Sequence, residues 1–185
     1  MDTTTITAKL LGLRPIMFDR YPGDNNTKLE PLEMMYTDVS KSCYVIPMLN
    51  VYSMLCAWNT RSVAKFFHGK EGKKVATHLM AFCAIDGDID EGQNSVIRDE
   101  NGNPYVINDD RIQVHSHVAR TKQETPNPKN RPVIPKPWNL TINFTLQENG
   151  GLKIPTLKRM VEQGGVLGLG TFRPIYGRYY VEWID

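Results

Sequence analysis

Residues 164 to 178, Gly-Gly-Val-Leu-Gly-Leu-Gly-Thr-Phe-Arg-Pro-Ile-Tyr-Gly-Arg, constrain this chain more than any other stretch. Gly164, Gly165, Gly168 and Gly170 follow a plausible helix, and Arg173 and Arg178 bracket Pro174 and Tyr176 ahead of a final strand. Glycine suits backbone that takes positive φ or comes close to another group, and its entropic cost argues against four of them as filler. A helix C-cap with a tight turn needs one or two. The segment therefore reads as a backbone surface with arginines beside it, and Gly164 and Gly165 are expected to stop the helix before it.

At 185 residues and 41% hydrophobic, the chain is expected to form one domain, 1–185, around one core. It shows no basic leader followed by an apolar run, and no segment near the ~18 apolar residues of a membrane span. A soluble, cytoplasmic protein with no membrane partner is expected. Cys43, Cys56 and Cys83 are an odd number without close pairing, which suggests neither a disulfide framework nor a zinc ribbon. They read as buried, reduced thiols.

The net charge of +2 conceals two opposed stretches. Residues 86–110 hold Asp86, Asp88, Asp90, Glu91, Asp99, Glu100, Asp109 and Asp110 against Arg98 alone. Residues 111–138 then hold Arg111, Arg120, Lys122, Lys129, Arg131 and Lys136 against Glu124 alone. A local basic run points to a polyanionic partner more strongly than the total charge does; a solvated loop is the bland alternative.

Alternation predicts a half-buried strand over Thr3 to Leu13, and helical spacing of Met48, Val51, Tyr52 and Leu55 predicts a helix opened by Pro47 and running to about Asn59. A short helix ending near Gly69 is expected next. Val75 to Ile85 reads best as a strand. Residues 86–110 are expected to form an acidic insertion, its Val96–Arg98 and Tyr105–Ile107 arms joined by an Asn-Gly turn. Asp86, Asp88 and Asp90 resemble a calcium loop only superficially, because Glu91 and Ile97 stand where glycine and a bidentate glutamate are needed.

Arg111 to Val118 alternates, setting Arg111, Gln113, His115 and His117 on one face of a strand. The two histidines admit three readings: the start of a metal site lacking its third ligand, an acid and base pair acting on a phosphodiester, or a polar sheet face that is solvated or touches a ligand. The last is preferred, and no metal or cofactor is expected. Residues 119–137, with Pro126, Pro128, Pro132, Pro135 and Pro137, read as a long basic loop that excludes helix and disfavours a central strand. Trp138 to Gln147 is the clearest strand, and Pro155 opens a second helix expected through Gln163.

Collected, these elements suggest an α+β fold with a ferredoxin-like (RRM-like) β-α-β-β-α-β core, an inserted hairpin and a long basic loop. An RNP1-like aromatic string is absent. The glycine segment, Gly165-Val-Leu-Gly168-Leu-Gly170 followed by Arg173-Pro174 and Gly177-Arg178-Tyr179, resembles the C-terminal glycine-rich loop of the RAMP superfamily of CRISPR effector proteins. The resemblance implies a backbone-subunit-like protein, of the kind bacteriophages also encode, with the loop after Val118 in the position of the family's thumb-like insertion. It further implies RNA binding along a filament of subunits.

Three functions follow. The first is non-catalytic binding of single-stranded nucleic acid, RNA more than DNA, through Gly165, Gly168, Gly170, Arg173, Tyr176 and Arg178, with Arg111, Arg120, Lys122, Lys129 and Arg131. The second is a metal-independent endoribonuclease using His115 and His117. The third is an anti-defence protein that holds a small nucleotide or a host protein. A Rossmann or P-loop site is disfavoured, because the glycines precede a strand.

Overall fold

The computed structural model describes residues 2–58, 61–120, 126–147 and 150–184, a mixed α/β chain with antiparallel sheets and four α-helices among them. The chain runs β1 (Thr3–Gly12), β2 (Ile16–Met17), β3 (Tyr36–Thr37), β4 (Tyr44–Pro47), α1 (Met48–Cys56), α2 (Val63–Phe67) and α3 (Gly72–Phe82). It continues through β5 (Cys83–Asp86), β6 (Asn94–Val96), β7 (Gln113–Arg120), β8 (Pro126–Ile134), β9 (Asn139–Gln147), α4 (Ile154–Leu167) and β10 (Tyr179–Ile184).

The alternation of β1 and β9 is what builds the largest sheet, ordered β10-β1-β9-β5 with every neighbour antiparallel. Ala8, Leu10, Leu140, Ile142 and Phe144 leave one face of it fully buried. Met54 and Leu55 of α1, Leu79 of α3, and Leu157 and Val161 of α4 close the same core. The opposite face is polar: Thr5 and Thr145 bond through their hydroxyls (2.9 Å), and Thr7 donates to Asn143 Oδ1 (2.8 Å). Two three-stranded sheets, β2-β8-β7 and β3-β4-β6, flank this unit.

Four expectations are corrected. Val75 to Phe82 is helical, not a strand: Ala76 and Leu79 are buried at helical spacing, and Gly72 lets α2 press so close that a methyl there would strike the Ala64 carbonyl. The helix expected to stop at Gln163 continues to Leu167 through Gly164 and Gly165. At Gly165 a side chain would collide with the Tyr179 carbonyl, so that glycine marks close helix-to-strand contact and not a helix end. The acidic insertion does reverse at Asp99 to Asn103, with Arg98 bridged to Pro104. The Tyr105 amide donates to the Ile97 carbonyl (3.0 Å), so the arms do meet, but the second arm is no continuous strand, and Tyr105 and Val106 also reach Tyr44 and Cys43.

The fourth correction concerns the basic proline-rich stretch, which carries β8 and pairs with β7 over eight residues of register, from Gln113↔Val133 to Arg120↔Pro126. Proline lacks an N–H and is tolerated in a strand only where none is needed. Phe18 donates to the Pro132 carbonyl (3.1 Å), so Pro132 turns its backbone groups toward β2 and away from β7. Pro128 and Pro126 share that parity and face the same side, where β2 pairs only with Ile134 and Val133. The prolines therefore interrupt no bond to β7.

The three cysteines are free and buried, as the odd count suggested. Burial pushes the Cys56 thiol up to about 11 and the Cys83 thiol up to about 12. Because the thiolate is the reactive form, Ellman's reagent at pH 8 is expected to find both unreactive in native protein and reactive in denaturant. Rapid native labelling of either would contradict this packing. No described helix is long and apolar enough to cross a membrane.

Candidate nucleic-acid interface

Antiparallel pairing of β7 with β8 sets His115 opposite Arg131 and His117 opposite Lys129, so four polar residues share one face of this hairpin. That face turns inward onto the glycine segment. Val114 and Val118, on the other face, are 50% and 63% exposed. The alternation was legible, but its direction is the reverse of an ordinary amphipathic strand.

The partners of the inward face are Phe172 and Tyr176. The Tyr176 hydroxyl lies 3.0 Å from His115 Nδ1 and 3.0 Å from His117 Nε2. One hydroxyl carries one proton, so the two rings must play different roles. His115 Nε2 is 3.1 Å from Gln113 Oε1, an acceptor, which places the proton of a neutral His115 on Nε2. Tyr176 then donates to His115 Nδ1 and accepts from His117 Nε2. The His117 ring also stacks on Phe172, with centroids 5.2 Å apart.

Arg131 is 4% exposed and donates through Nε (2.9 Å) and Nη2 (2.7 Å) to Asp19 Oδ2, while its guanidinium sits 4.9 Å from the Phe172 ring centre. Its Nη1 is buried without a hydrogen-bond partner. Lys129 Nζ lies 3.8 Å from the same Asp19 oxygen. Asp19, which the sequence did not single out, thus anchors both bases of β8.

The glycine segment is shaped by internal bonds. The amides of Gly168, Leu169, Thr171, Tyr176 and Gly177 donate to the carbonyls of Gly164, Gly177, Met17, Phe172 and Pro15. Gly168 ends α4 at φ 84°, and Gly170, at φ 79°, lies where a Cβ would strike the Met17 carbonyl. Those five amides are therefore engaged within the fold, and Gly165, Gly168 and Gly170 each meet a packing or turn requirement.

Of the segment's arginines, Arg173 is half-buried and donates to the carbonyls of Gly168 and Arg61, each at 3.4 Å. Among the described residues it has no carboxylate partner. Burial first, and then the neighbouring charge of Arg61, lower its guanidinium below its ordinary value. It borders a cavity of about 220 Å³ lined also by Asn50 and Ser53 of α1, Thr171 of the segment, and Asp19, which is tied to Arg131. Arg178 is half-buried, and its carbonyl accepts from the amides of Leu13 and Arg14.

The remaining candidates lie elsewhere. Arg111 is held by Asp109 (2.6 Å) and Asp99 (2.7 Å) and packs on Tyr105, so its charge is neutralised within the acidic insertion and it does not join this site. Arg120 ends β7 opposite Pro126, and its side chain, like Lys122, lies outside the described residues. Sequence reasoning also missed Arg61, which carries no local signal. No group of three or more His, Cys, Asp or Glu side chains is placed to hold a metal ion among the described residues.

No family model matches this chain, and no curated protein matches it in sequence. Among solved structures it is similar to a chain from the cryo-EM structure of the Type III-B Cmr-beta bound to cognate target RNA, at a TM-score of 0.60 and 12% identity. The likeness covers 99% of this chain and 61% of that one, and it is a likeness of fold.

Proposed function

We propose that this chain is a non-catalytic, single-stranded nucleic-acid-binding protein of RAMP type, taking RNA more readily than DNA and working beside other subunits or copies of itself. The observation that carries the reading is Arg173, a half-buried guanidinium that lines a polar cavity without an ion-pair partner among the described residues, with the charge of Arg61 close by. A folded chain neutralises half-buried charge wherever it can, and a guanidinium left this way is suited to bidentate pairing with a phosphate. Phe172, next to Arg173 in the segment, is partly exposed, whereas Tyr176 is buried against the two histidines.

Two further features support the reading. The sheet order β10-β1-β9-β5, with helices between β1 and β5 and between β9 and β10, is what a ferredoxin-like core carrying two insertions would give, the β7-β8 hairpin lying in the second. The similar chain belongs to an assembly bound to target RNA. Fold alone does not specify activity, so the weight rests on the site.

Fluorescence anisotropy with a labelled single-stranded RNA is expected to give binding that weakens with salt, and Arg173→Ala is expected to lose about tenfold, the worth of one charge-assisted contact. The same substitution should flatten the salt slope by about 0.7. Negligible affinity of the native protein at low salt would overturn the proposal. His115 and His117 converging on one hydroxyl favour a second reading, cleavage of RNA by acid and base. It requires the bound RNA to be cut over time, and His117→Ala to stop the cutting.

A further inference from the structure

A second surface adjoins the Arg173 cavity. Residues 61–82 carry Arg61, Lys65, Lys70, Lys73 and Lys74 against the single acid Glu71. The four lysines are exposed, and none forms a salt bridge among the described residues. Interleaved with them are large rings that the fold does not bury: Phe66 is 57% exposed, and Phe67 and Trp58 are each 41% exposed. Lys73 Nζ lies 5.4 Å from the Trp58 ring centre.

The exposure has a local cause. α2 is five residues long and is capped by Ser62, whose Oγ accepts from the Lys65 amide (3.3 Å). It spends Val63 and Ala64 on the core, and its close packing onto Gly72 turns the two phenylalanines that follow outward. Exposed aromatic rings on a soluble surface are costly unless something covers them. Protein interfaces deplete lysine relative to the rest of the surface, whereas lysines set among aromatic rings suit a strand that offers phosphates and base faces together.

The patch is also continuous with the first site. The carbonyl of Arg61, the residue that leads into α2, holds the Arg173 guanidinium at 3.4 Å. We propose that α2 and the start of α3 form a second contact for single-stranded nucleic acid, with Phe66 and Phe67 stacking bases and Lys65, Lys70 and Lys73 meeting the backbone, so that a strand held at Arg173 runs on across this surface. The proposal rests on the nucleic-acid reading given above, and it adds length to the bound strand.

The test compares a short oligouridylate of about five nucleotides with one of about fifteen, lengths that span the usual site sizes of single-strand binders. The native protein is expected to bind the longer strand at least tenfold more tightly. The double substitution Phe66→Ala and Phe67→Ala, at exposed positions, is expected to remove that advantage and leave the short strand's affinity unchanged. Equal loss with both lengths, or no loss with either, would overturn the second contact while leaving the first standing. A native protein that binds neither strand would sink the underlying reading instead. Vesicles containing phosphatidylserine provide the competing outcome: binding to them that the double variant abolishes, with RNA affinity intact, would assign the patch to a membrane surface and overturn the proposal.

Discussion

Replacing Trp138 by alanine is expected to remove about 4 kcal/mol of stability, measured as a fall in the urea midpoint at unchanged slope. Trp138 is fully buried and meets Tyr179 edge-on, with ring centroids 6.5 Å apart. Its Nε1 donates to the Arg14 carbonyl at 2.7 Å, and its own carbonyl accepts from Gly12 at 2.7 Å. Gly12 is glycine because a methyl there would overlap the indole. The substitution therefore opens a large cavity and leaves a carbonyl unpaired at the point where β1 hands the chain to β2. Trp138→Phe, which loses chiefly the hydrogen bond, should cost about 1–3 kcal/mol. A Trp138→Ala protein within ~1 kcal/mol of native, against the usual cost of truncating a buried tryptophan, would show that this junction is not where the two sheets are tied.

The second large effect belongs to Asp38, which is 6% exposed. Its carboxylate accepts from the amides of Ser42 (2.6 Å) and Cys43 (2.8 Å), from the Ser42 hydroxyl (2.8 Å) and from the Ser40 hydroxyl. Burial works to raise its pKa, but the Cys43 amide and the serine groups outweigh it and hold the carboxyl well below the usual range. Asp38→Ala leaves two amides without their acceptor and should cost about 3 kcal/mol by urea titration. A depressed folded-state pKa means that the stabilisation is present above the unfolded value, near 4, and is lost as pH falls through the folded one. The gap between native protein and Asp38→Asn should therefore be full at pH 6 and narrow as pH drops below about 4. A gap that widens on acidification would contradict the assignment.

How much was legible in advance depended on whether the cause was local. β9 was plain because five apolar residues, Trp138 to Leu146, alternate with polar ones and each is buried. The shared face of His115 and His117 followed from the same parity. Its partner was invisible, because Tyr176 lies 59 residues from His117 in sequence. α3 was mistaken for a strand because Val75 to Ile85 is apolar enough to suit either, and only the helices around it select burial at Ala76 and Leu79. Gly165 looked like a stop signal, since nothing local reveals that Tyr179 passes close behind it. The proline count of β8 was weighed without its parity, and parity is what decides whether a missing N–H matters.

That parity also decides what the edge of the hairpin offers to another extended chain. An exposed strand edge normally offers alternating donors and acceptors, and any extended segment can zip onto it. Along the outer side of β8, past its short pairing with β2, Pro126 and Pro128 leave carbonyls without the N–H groups that should alternate with them. The arm is thus blunted on that side, and crowded chains find an incomplete template there, while β7 remains the other edge of this sheet.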